Sequence, residues 1–142
     1  MTTHRSFGTV PIFIDNNNLF FALVRDRYDS WGFPKGYPNK NETSKQAAIR
    51  ETFEECGLVL EEADLKKQFI VNYNCIKRGK AVKKEVMLYL TTLKKKETLS
   101  IYDKEVVEAD WVAENKISEY IKYNEYLDIA NEIINLKNKT TN

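Results

Sequence analysis

The chain has 142 residues, enough for one domain with a single core. Hydrophobic residues make up 42% and charged residues 30%, and 22 basic against 21 acidic side chains leave a net charge of +1. That balance fits a globular domain and argues against a dedicated nucleic-acid or membrane-surface binder, since both usually carry a basic excess. No apolar run is long enough to span a bilayer, and "MTTHRSFGTVPIF" lacks the apolar core of a signal peptide, so a cytoplasmic protein is expected. Cys56 and Cys75 have neither CxxC spacing nor a nearby histidine and read as reduced, buried thiols.

"FGTVPIFID" and "LFFALVRD" are apolar, β-rich runs either side of "NNN", which predicts a hairpin of Phe7–Asp15 and Leu19–Arg25. "RYDSWGFPKGYPNKNE" is punctuated by Gly and Pro and reads as a loop with a short strand at Trp31–Phe33. Thr43 or Ser44 caps a helix that runs to Cys56, where Gly57 stops it. Ala48, Ile49, Thr52, Phe53 and Cys56 recur at helical spacing and form its predicted inward stripe. "KKQFIVNYNCI" and "KKEVMLYLTTL" predict two strands around the turn "KRGKA", and "EVVEADWVA" predicts one more. The segment 117–136 predicts one C-terminal helix that packs through Tyr126, Ile129, Ile133 and Leu136, followed by a frayed tail over 137–142. Strands grouped around a central and a terminal helix imply a single α/β domain over 1–142, with a mixed sheet in an α/β/α sandwich.

The central helix carries the chemistry. Residues at i, i+3 and i+4 share a helix face, so Glu51, Glu54 and Glu55 converge. Each like-charge pair costs a helix about 0.2–0.5 kcal/mol. The acids also sit near the helix C-terminus, where the macrodipole disfavours negative charge. A hard divalent cation reverses that penalty, because Mg2+ and Mn2+ seek carboxylate oxygens. Taken alone, "RETFEE" reads equally as a solvated acidic face with Arg50 as counterion.

The spacing around it is more specific. Gly36, Glu42 and the run Arg50 to Leu58 follow G-x5-E-x7-R-E-U-x-E-E-x-G-U, where U is apolar. This stretch resembles the Nudix box, with Thr52 the one departure, in place of an aliphatic residue. The resemblance implies the Nudix fold and metal-dependent hydrolysis of a nucleoside diphosphate linked to another group. It implies Glu51, Glu54 and Glu55 as ligands of Mg2+ or Mn2+, helped by the backbone carbonyl of Gly36 or Lys35, with Glu51 as an alternative base for the attacking water. Glu42 and Arg50 would be a structural ion pair that fixes the carboxylates. The family also recruits an acid outside the box. Glu105, six residues before Trp111, is its candidate here, with Glu85 and Glu108 as rivals.

"WGFPKG" just upstream resembles the entry to the box in diadenosine tetraphosphate hydrolases, and in relatives that trim RNA 5′ ends or diphosphoinositol phosphates. The spacing of Glu105 and Trp111 favours the first group; Tyr37, where that group often has His, is a departure. The expected partner is a small nucleotide, diadenosine tetraphosphate giving ATP and AMP, with no membrane and no stable nucleic-acid complex. A nucleotide-sensing module is the non-enzyme alternative, and no oligomeric state follows from the sequence. Lys35 reads as a phosphate contact. The basic hairpin with Lys77, Arg78, Lys80, Lys83 and Lys84 reads either as a polyphosphate cradle or as protection of an edge strand. Tyr73 and Tyr123 are the candidates to stack on a base.

Overall fold

A computed structural model describes residues 2–140. Seven strands form one mixed sheet: β1 Thr2–Asp15, β2 Asn18–Asp26, β3 Trp31–Gly32, β4 Lys35–Gly36, β5 Gln68–Lys77, β6 Lys80–Thr92 and β7 Val106–Ala113. Its helices are α1 Ser44–Cys56, α2 Ile117–Tyr120 and α3 Asn124–Thr140.

β1 is the hub. It runs parallel to β6 from Thr2–Val82 to Ile12–Thr92, and antiparallel to β2 at its far end. The predicted hairpin turns on Asn16 and Asn17, both at positive φ, a conformation that Asn tolerates better than most residues. The strand starts earlier than predicted because residues 2–6 extend along β6. Past Phe21, β2 leaves β1, and the gap is filled by β3 pairing with β2 and β4 pairing with β1. Residues 31–36 therefore thread the centre of the sheet. Gly8 makes room for them: a Cβ there would lie 2.0 Å from the Pro34 carbonyl oxygen. β5 and β6 join through Arg78 and Gly79 in the left-handed region.

Side chains alternate across the sheet, and the two faces bury different helices. Phe21, Leu23, Val86 and Leu88 pack with Ile129, Ala130 and Ile133 of α3. Ala22 and Val24 pack with Cys56 and Leu58, and Tyr89 packs with Ala48 of α1. The architecture is the expected α/β/α sandwich.

Four expectations need correction. Phe53 is not inward: it is 39% exposed and stacks on Tyr102, while the buried face of α1 is Ala47, Ala48, Glu51, Thr52 and Cys56. The C-terminal helix is two helices, because Ile121 is extended and buries its side chain in the core. The tail beyond Leu136 stays helical through Thr140, and Lys137 is buried, pairing with Glu114 and donating to the Asn17 carbonyl; residues 141 and 142 lie outside the described residues. Both cysteines are free, but Cys75, expected to be buried, is only half-buried and lines a pocket with Tyr73 and Asn74. No helix among the described residues is long and apolar enough to cross a membrane.

Candidate functional site

Helix α1 is fixed at both ends by local chemistry. The Thr43 hydroxyl accepts from the Gln46 N–H while the Gln46 side chain accepts from the Thr43 N–H, a closed capping box. Gly57 ends the helix at φ 78° and donates to the Phe53 carbonyl. Between them, Thr52 is buried. Its hydroxyl donates to the Ala48 carbonyl and meets the Thr9 hydroxyl of β1 at 2.7 Å. The polar residue at an apolar position thus has a polar partner waiting on the sheet.

Arg50 organises the acids. It forms a two-pronged ion pair with Glu42 at 2.8 and 3.0 Å, and its Nη1 donates to Glu51 at 2.7 Å and Glu54 at 2.9 Å. Its Nη2 also donates to the Tyr37 carbonyl. Hydrogen bonding to Glu42 raises the Arg50 pKa, and the same contact lowers that of Glu42. Glu51 is buried against β4, with its carboxylate lying where a Cβ on Gly36 would come within 2.3 Å. Only a glycine at 36 permits this. Burial raises the Glu51 pKa, opposed by Arg50.

The third carboxylate beside Glu51 and Glu54 is Asp103, which sequence reasoning did not single out. One oxygen from each of Glu51, Glu54 and Asp103 lies within 4.8 Å of the others. The loop before β7 delivers it. The Ser100 N–H donates to the Cys56 carbonyl and the Tyr102 N–H to the Glu54 carbonyl, so the loop satisfies carbonyls that the end of α1 leaves unpaired. Tyr102 stacks on Phe53 at 4.9 Å, and the Trp111 indole anchors the loop at the Glu97 carbonyl. Phe53, expected inward, is instead the surface on which this loop rests.

Glu55 is not in that group of three. Its Oε1 accepts from the Lys35 backbone N–H at 3.2 Å, and both side chains line a cavity of about 610 Å3. Burial pushes Glu55 up to about 8 and Lys35 down, in each case favouring the neutral form. The Lys35 ammonium lies 5.3 Å from the Tyr126 ring centre. Trp31, Phe33, Tyr73 and Tyr123 also line the cavity, as does Glu105 at its rim.

The structure therefore brings Lys35, Glu55, Glu105, Tyr73 and Tyr123 to one cavity. Glu105 is largely exposed and paired with Arg27, and its rivals Glu85 and Glu108 pair with Arg5 and Arg25. Lys84 meets Lys77 at the Tyr37 hydroxyl, at 2.6 and 2.5 Å, just outside the cavity. Although partial burial acts the other way, these bonds lower the Tyr37 pKa. Lys83 is exposed on β6 and lines no part of the cavity.

Three convergent carboxylates suit a hard divalent cation, since every donor is an anionic oxygen. Arg50 now supplies the positive charge that such a cation would share. A mixed-sheet α/β domain whose loop–helix–loop gathers acids beside an aromatic cavity defines the class. The chain belongs to the NUDIX domain family, whose model matches residues 2–130. It is 43% identical over 75 residues to the m7GpppN-mRNA hydrolase dcap-2 of Caenorhabditis elegans, covering 46% of this chain and 10% of that protein. A Mycobacterium tuberculosis relative, provisionally named 8-oxo-dGTP diphosphatase 3, is 29% identical over 117 residues, 81% of this chain and 50% of the relative. The chain thus spans half or less of the length of these curated relatives. Among solved structures, the C. elegans Ap4A hydrolase binary complex superposes with a TM-score of 0.74 at 23% identity, covering 92% of this chain and 94% of that one. The Escherichia coli dihydroneopterin triphosphate pyrophosphohydrolase gives 0.73 at 15% identity, over 94% and 98%.

Proposed function

We propose that this protein hydrolyses a phosphoanhydride bond of a dinucleoside polyphosphate, diadenosine tetraphosphate first, to ATP and AMP. The observation that carries the reading is the adjacency of two environments. Glu51, Glu54 and Asp103 converge near Glu55, and Glu55 and Lys35 line a cavity with five aromatic side chains. The first suits a metal-bridged polyphosphate and the second a base.

Glu51, Glu54 and Asp103 would hold Mg2+ or Mn2+, with the carbonyl of Gly36 or Lys35 as a further donor. When bound, the cation neutralises phosphate charge and acidifies a water. The chain's own groups do the rest. Arg50 keeps Glu51 and Glu54 oriented, and Gly36 lets Glu51 approach the backbone. Lys35 meets a phosphate oxygen as a point charge. Glu55, held by the Lys35 N–H and raised to about 8, takes the proton of the water that attacks phosphorus and returns it to solvent. Glu105 is left at the rim, within reach of the substrate rather than of the three acids.

The test is a substrate panel with products separated by chromatography: diadenosine tetraphosphate, 5′-triphosphorylated RNA and a diphosphoinositol polyphosphate, each with Mg2+ or Mn2+. Diadenosine tetraphosphate should give the highest kcat/KM, with ATP and AMP as products, and a chelator should stop turnover. A lower rank than either rival overturns the substrate assignment. Unchanged turnover of every substrate by Glu54→Gln and Asp103→Asn overturns the catalytic one and leaves a nucleotide-binding module.

A further inference from the structure

Tyr126 lines the cavity, and the reading above gives it no part. It stands on the first turn of α3, 6% exposed. Its hydroxyl is the single buried side-chain nitrogen or oxygen without a hydrogen-bond partner among the described residues. Folds rarely leave a buried hydroxyl unpaired, because its water is lost and nothing replaces it.

The ring alone does not account for it. Tyr126 packs edge-on against Phe33 and Tyr73, each at 6.4 Å, and its face lies beneath the Lys35 ammonium. Phenylalanine would make all three contacts. Burial raises the Tyr126 pKa, and the nearby Tyr73 hydroxyl raises it further, but the two hydroxyls do not meet in hydrogen-bonding geometry and Tyr126 keeps no partner. The phenol therefore stays a neutral donor.

The surroundings indicate what it donates to. Tyr73, Tyr123 and the carboxylate of Glu125 act on the hydroxyl, while the Lys35 ammonium lies over the face of the ring. With the one cation at the ring face and only tyrosines and a carboxylate acting on the hydroxyl, the hydroxyl end suits the edge of a flat, neutral ring rather than a phosphate. We infer that the Tyr126 hydroxyl donates a hydrogen bond to an acceptor atom on the edge of a bound nucleobase, making it a specificity-determining residue of the cavity. The inference rests on the nucleotide reading above.

The test uses the whole chain and AMP as probe, with its 1-, 3- and 7-deaza analogues, each lacking one ring acceptor. Binding is measured by calorimetry and folding by thermal melts. Tyr126→Phe should weaken AMP about 5- to 10-fold, the loss of one buried hydrogen bond. One deaza analogue should weaken binding to the wild-type chain by a similar factor and cause no further loss in Tyr126→Phe, as expected for two ends of one bond. Tm should hold or rise by about 2–4 °C, since an unpaired hydroxyl is removed. Equal AMP affinity in the variant overturns the inference, and so does a Tm several degrees lower, which would mean that the hydroxyl is bonded within the fold. Failure of the wild-type chain to bind AMP or any analogue is different: the nucleotide reading itself then fails.

Discussion

Thr52 is the position where residue chemistry departs most clearly from the box it sits in. Its hydroxyl is fully buried, yet both of its bonds are made, to the Ala48 carbonyl and the Thr9 hydroxyl. Thr52→Val keeps the shape but leaves Thr9 with a buried, unpaired hydroxyl, so it should cost about 1–3 kcal/mol. Adding Thr9→Val removes that orphan. The double variant should recover most of the loss, which urea titration of all four chains would show as a strong non-additive coupling. The departure at Thr52 was legible in the sequence; its partner was not, because Thr9 lies 43 residues away and only the sheet brings it near. Glu55 gives a second prediction at this scale. Burial, then Lys35, Glu51 and Asp103, set its pKa at about 8 against an ordinary 4.5. Between those values the folded chain holds a proton that the unfolded chain has lost, so stability falls as pH rises through that window. With chelator present, the urea midpoint should therefore drop between pH 5 and 8, and Glu55→Gln should flatten the drop. A rising wild-type profile, or a Gln variant with the same slope, would refute the assignment.

Elements differ in how much their own sequence determines them. Helix α1 was legible end to end because its signals are local: a capping box at Thr43 and Gln46, and a left-handed Gly57. The break between α2 and α3 was not. No Gly or Pro marks Ile121, and the apolar period runs through it; the helix opens because Ile117 and Ile121 both reach the core, leaving Tyr123 at the cavity. The loop before β7 is the most informative case. Asp103 belongs to no motif, and its place depends on backbone bonds from Ser100 and Tyr102 to the end of α1 and on the Phe53–Tyr102 stack. Tyr102→Ala removes the stack without touching an acid. If the loop positions Asp103, kcat should fall about 10-fold or more, with KM for the nucleotide within about twofold, as for a misplaced group far from the binding contacts. Tyr102→Phe should restore it, because the ring is what stacks. A Tyr102→Ala enzyme with wild-type kcat would mean that Asp103 holds its place by other means.

For the molecule as a whole, net charge conceals a local separation. The chain is almost neutral at +1, which gave no sign of a surface specialised for nucleic acid or membrane. Folding nonetheless sets acids and bases apart along one path: Glu51, Glu54 and Asp103 at one end, then Lys35 in the cavity, then Lys84 and Lys77 outside it. The two outer lysines form no ion pair among the described residues and share the Tyr37 hydroxyl, with both ammonium groups over its ring at 4.5 and 4.6 Å. Two like charges on one neutral atom repel each other and lower the Lys35 pKa as well, through Lys84. A substrate whose phosphates extend past Lys35 would relieve all three, and one that ends at two phosphates would not. Lys84→Met should therefore raise KM for diadenosine tetraphosphate about 5- to 10-fold at low salt, the size of one charge-assisted contact. For a dinucleotide joined by only two phosphates, the change should stay within about twofold. The contrast should shrink as ionic strength rises, because an exposed lysine acts through a screened field. Equal effects on both substrates would place Lys84 in folding rather than in reading chain length, and a salt-independent effect would argue for a packing role of its aliphatic stem.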